Sequence, residues 1–110
     1  MANYVLIYTG GAMPAGTMPS EAEMKAIMDD WIAWFSKLGS AVVNPGNPFA
    51  PAAKIVAPGG SVTDAASATM ATGFTILKAA SLSEAVEMAK SCPQLKAGGN
   101  VGVYETMEVM

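Results

Sequence analysis

Between Gly73 and Pro93 the hydrophobic pattern changes period. Phe74, Ile76 and Lys78 alternate with Thr75, Leu77 and Ala79, the two-residue repeat of a strand with two distinct faces. Leu82, Ala85, Val86 and Ala89 then recur at helical spacing, forming a narrow face of small residues able to lie flat on a sheet. Ser81 stands three residues before Glu84, the capping-box spacing that satisfies the first free helical N–H groups. Cys92-Pro93 stops this helix, because proline lacks an N–H and disfavours helix in the residue before it.

The same two periods organise the rest of the chain. Tyr4-Val5-Leu6-Ile7-Tyr8 is β-branched and aromatic, apolar on both faces, and ends at Thr9-Gly10-Gly11, as a central strand would. Ser20 and Glu23 form a second capping box that opens the longest helix, over residues 20–38, with Gly39 as its C-terminal cap. Met24, Ile27, Met28, Trp31, Phe35 and Leu38 make a continuous stripe on it, widened by Ile32 and Trp34, and the stripe is expected to be core. Ser40-Ala41-Val42-Val43 reads as a short strand. Lys54-Ile55-Val56-Ala57 and Ser61-Val62-Thr63 flank Pro58-Gly59-Gly60 as a hairpin. Asp64 opens a small-residue loop running to Thr72, and alternation from Val101 to Val109 gives a last strand.

Strand, helix, strand, hairpin, strand, helix, strand is the order of an α+β, ferredoxin-like split βαβ sandwich with an inserted β-hairpin. The 110 residues make one domain, 1–110, large enough for a core of its own. Two helices cover one face of a sheet whose strands are apolar on both. A second copy is the simplest cover for the other face, so a homodimer is expected.

Composition narrows the chemistry. The chain has no histidine and no arginine, so the commonest neutral-pH acid–base group and the best bidentate anion clamp are both missing. Six lysines against nine carboxylates, with no basic stripe, argue against nucleic acid. No apolar run spans a membrane, and the first strand is too short for a signal-peptide core. The single cysteine excludes an internal disulfide and suits a cytoplasmic setting. The glycines at 11 and 16 have the spacing of a phosphate loop, but Thr17-Met18 stands where Lys-Ser/Thr belongs and Pro14 removes an amide donor; an ordinary loop is expected. Neither cofactor nor metal is expected, since the methionines have no Cys or His partners and Asp29-Asp30 diverge by about 100° on a helix.

Four features resemble the YCII-related, DGPF-type family: the Tyr4-to-Tyr8 strand, the helix with Trp31 and Trp34 running into Leu38-Gly39, Gly73-Phe74-Thr75-Ile76-Leu77 with Ala79, and Ala85 through Ala89 into Cys92-Pro93. The resemblance implies a dimeric α/β barrel in which two ferredoxin-like sheets face each other. It also implies an Asp/His site in catalytic members. Asp64 falls where the Asp of the DGPF motif stands, but Ala65-Ala66-Ser67 follows it and no histidine exists. The expectation is therefore a dimeric small-molecule-binding or accessory protein; the alternative is a cofactor-independent enzyme acting on a small apolar or aromatic substrate.

Asp64 is the weak catalytic candidate, as a general base if desolvation raises its pKa. A ligand is expected between the first helix and the sheet, against Trp31 and Trp34, with Tyr8 or Asn47 meeting one polar group. Loops 10–19 and 44–53, rich in Gly and Pro, would form its mouth. The alternative is that the two tryptophans fill that space themselves. Cys92, placed at a helix C-terminus where the dipole opposes a thiolate, is not expected to be a nucleophile.

Overall fold

The structure, a computed structural model, describes residues 2–10, 20–50, 52–64 and 70–108. Ten short-range choices build it in chain order: strand β1 (Ala2–Thr9), helix α1 (Glu21–Leu38), a 3-10 turn (Gly39–Ala41), strands β2 (Val42–Asn44), β3 (Lys54–Val56), β4 (Val62–Asp64) and β5 (Ala71–Ala79), helices α2 (Leu82–Ala89) and α3 (Pro93–Lys96), and strand β6 (Asn100–Glu105). Both capping boxes form: Ser20 and Ser81 accept from the N–H groups of Glu23 and Glu84, each at 3.2 Å. Gly39 ends α1 with φ 57°, its N–H returning to the Phe35 carbonyl.

The main sheet is antiparallel with order β2-β5-β1-β6. Tyr4 pairs with Leu77 and Glu105, and Leu6 with Thr75 and Val103, so these side chains share one face. Tyr4, Leu6, Tyr8, Thr75, Leu77 and Ala79 are buried on it, under Trp34 of α1 and Ala85 and Ala89 of α2. The opposite face carries Val5, Ile7, Phe74 and Ile76, all half-buried, and Tyr104, which is 61% exposed. The mixed helix-and-sheet layering of an α+β domain is thus present, with helices on one side. The protein is flat, 44 × 37 × 18 Å, and its 15.4 Å radius of gyration exceeds the about 13 Å usual for a compact chain of this size.

The predicted hairpin exists, with Lys54↔Asp64, Ile55↔Thr63 and Val56↔Val62 paired across it. β2 and β5 pair at Val42↔Leu77 and Asn44↔Ile76 and then through an isolated Pro48↔Gly73 bridge. β3 and β4 form a two-stranded ribbon separate from the four-stranded sheet.

Four expectations need correction. Met24, Ile27 and Met28 are exposed, because α1 is about 27 Å long and reaches the sheet only from Trp31 onward, and Ile32 is exposed because it lies off the Trp31, Trp34, Phe35 and Leu38 face. Asp64 is the last residue of β4 rather than the first of a loop. Pro93 starts a new helix as well as ending the old one: it sits in the first turn of α3, where its missing N–H has no helical acceptor to lose. The last strand ends at Glu105, and Thr106 folds back with both its N–H and its hydroxyl on the Asn3 carbonyl.

Candidate functional site

Strand alternation brings Tyr8 and Thr75 to the helix-covered face, and helical spacing brings Trp31, Trp34 and Phe35 down onto them. Tyr8 meets the Trp31 ring edge-on, with centroids 5.2 Å apart. Trp31 lies 5.8 Å from Trp34, and Phe35 packs at 5.9 and 5.2 Å from the two tryptophans. Trp34 is buried and its indole N–H donates to the Met88 carbonyl at 3.2 Å, which ties α1 to α2. These rings occupy the space beneath the end of α1.

The buried polar side-chain atoms of this cluster have partners. The Tyr8 hydroxyl donates to Thr75 Oγ1 at 2.5 Å, and Thr75 donates in turn to the Pro45 carbonyl at 2.9 Å. This relay fastens the irregular segment after β2 to the sheet. Asn44 Oδ1 accepts from the Gly46 N–H at 2.8 Å and sets the turn. Among the described residues no buried side-chain nitrogen or oxygen lacks a partner. Burial pushes the Tyr8 hydroxyl far above the ordinary tyrosine range, and burial likewise raises the neighbouring Cys92 thiol.

Sequence reasoning placed Tyr8, Trp31 and Trp34 together, and they do meet. Asn47 is exposed; its backbone carbonyl lies over Gly73, close to where a Cβ would sit, and Gly73 is also beside the Tyr8 ring. Asp64 is exposed and ion-paired to Lys54 across the ribbon. The dipole reason offered for Cys92 does not hold, because Cys92 is the N-terminal cap of α3; its burial, 1% exposed, is what encloses the thiol. Of the two expected mouth segments, residues 11–19 lie outside the described residues.

Thr75 and Pro45 are the members that sequence reasoning missed. Thr75 was legible as a strand position facing with Leu77, but its hydroxyl partners come from segments 67 and 30 residues away. A shallow cleft of about 350 Å³ opens on the other side of Met88, lined by Lys37, Leu38, Glu84, Glu87 and Ser91. Its rim is exposed, and Lys90 pairs with Glu87 there at 2.8 Å. Among the described residues, no three Cys, Asp or Glu side chains come together as a metal site, and no helix is long and apolar enough to cross a membrane.

No protein-family model matches this chain, and a search of curated proteins returns no match.

Proposed function

We propose that this chain works as a homodimer of the ferredoxin-like, dimeric α/β-barrel type that its YCII-like features imply, and that it binds a small apolar or aromatic molecule without transforming it. The observation that carries this is the open sheet face, where Val5, Ile7, Phe74, Ile76 and Tyr104 stand opposite both helices. Two such faces brought together bury apolar surface on each copy and bound a chamber between them. The helix side offers less room, because Tyr8, Trp31, Trp34 and Phe35 already interlock there.

Binding is favoured over catalysis by the state of the reactive groups. Tyr8 and Cys92 are held protonated by burial, and Asp64 is exposed and paired with Lys54. The open face carries Asn3 and Lys78 near its rim, enough to orient one carbonyl or hydroxyl.

Titration with naphthalene, followed by ligand-observed NMR, tests the reading on wild type, Ile76→Lys and Trp31→Phe. Loss of binding in Ile76→Lys with binding retained in Trp31→Phe is the expected result. The reverse pattern places the ligand under α1, and no binding to any form removes the small-molecule function.

A further inference from the structure

The β3–β4 ribbon has the composition of a covered element and the exposure of an uncovered one. Ile55, Val56 and Val62 are 54%, 68% and 58% exposed. A two-stranded ribbon alone is marginal in water, and among the described residues neither helix nor sheet is laid extensively across this one. The geometry points to the ribbon as an arm that packs against a second copy of this chain, an inference that rests on the sheet-to-sheet dimer.

Three observations select a second copy as the occupant. The first is continuity. Phe49, just before the ribbon, stacks on Phe74 of the open sheet face at 5.7 Å, and its N–H bonds the Thr72 carbonyl at 2.8 Å. Apolar surface therefore runs from the face expected to meet the partner out along the ribbon.

The second is area. Four strands about 4.8 Å apart and about six residues long give the open face roughly 400 Å² in plan. A stable protein interface needs roughly 800 Å² from each partner. The sheet face alone supplies about half. A ribbon about 10 Å wide and about 17 Å long adds roughly 170 Å² on its own copy and a matching patch on the copy that receives it, which brings the total close to the requirement.

The third is charge. The whole chain carries −3, so two copies repel at long range. Within residues 54–64 the only charged side chains are Lys54 and Asp64, which pair with each other. The arm thus approaches an identical acidic chain without adding to the repulsion. A basic or acidic partner would find no charge on it to recognise.

Sedimentation equilibrium on the full chain tests this, with wild type, Val56→Thr/Val62→Thr and Ile7→Asn/Ile76→Asn compared. The threonines keep strand propensity and nearly the same volume, and tryptophan fluorescence checks that the α1 core is intact in each variant. The expected result is a wild-type dimer whose dissociation constant rises about 100-fold in the ribbon variant, four valines being lost per dimer. Amide exchange at Ile55 and Thr63 should also slow when wild type dimerises. A wild-type dimer whose affinity is unchanged by the ribbon variant, with exchange at Ile55 and Thr63 insensitive to association, overturns the arm and leaves the sheet dimer standing. A wild type that stays monomeric across the micromolar range overturns both.

Discussion

The Tyr8 hydroxyl heads a relay of hydrogen bonds, donating to Thr75 while Thr75 donates to the Pro45 carbonyl. Removing it and removing Thr75 are unequal changes. Tyr8→Phe leaves Thr75 still donating to Pro45, so the loss should be near the net value of one hydrogen bond, about 0.5–1.5 kcal/mol. The pH dependence is sharper. Because burial raises the folded-state pKa of Tyr8 above its ordinary value of 10.0, both states are protonated below about pH 10 and the group's stabilising contribution is complete there. As pH rises further, the unfolded chain releases the proton and the folded chain keeps it, so stability falls. Cys92, raised by burial from 9.0, adds the same sign from slightly lower pH. Urea unfolding should therefore show stability declining above about pH 9, with a shallower decline in Tyr8→Phe. Tyr4 contributes in the same direction: its bond to Glu105 at 2.5 Å, then burial, push it up to about 12.

At the level of elements, the turn between β2 and β3 is where backbone geometry is least forgiving. Gly46 has φ +73°, and a Cβ there would stand 1.8 Å from the Phe74 carbonyl oxygen. Gly46→Ala combines left-handed strain with a backbone clash, so a loss of at least about 2 kcal/mol is expected in urea unfolding. Gly59, in the ribbon turn at φ +91°, has nothing within 4 Å of that position. Gly59→Ala should therefore carry the strain alone, about 1–2 kcal/mol. If the two alanine variants were equally stable, the close approach of the Gly46 turn to β5 would be wrong. The elements also differ in how far local pattern reaches. Ser20 and Ser81 cap their helices through bonds spanning three residues, which is why the sequence showed them. The exposure of Met24, Ile27 and Met28 was not visible in the same way, because amphipathic spacing records which side of a helix is apolar and not how much sheet lies beneath it.

The whole molecule is two layers thick, and that thinness carries the association prediction. Among the described residues, the 18 Å short axis leaves no room for a third layer over Val5, Ile7, Phe74 and Ile76. Burying those faces against each other couples folding to association, so the melting temperature should rise with protein concentration in thermal unfolding followed by circular dichroism. A melting temperature independent of concentration, together with a monomer mass by light scattering, would sink the dimer. The sequence alone determined the strands, the two capped helices and the faces of β1 and β5, though not α3, because each depends on residues within one or two turns or on a period-two pattern. It also brought Tyr8, Trp31 and Trp34 into one neighbourhood. Tertiary structure alone decided that Trp34 is buried against Met88, that Thr75 links Tyr8 to Pro45, and that β3 and β4 form a ribbon separate from the main sheet. Those outcomes depend on how layers of fixed length overlap and on which distant carbonyl lies nearest a buried hydroxyl, distances that no local pattern of residues encodes.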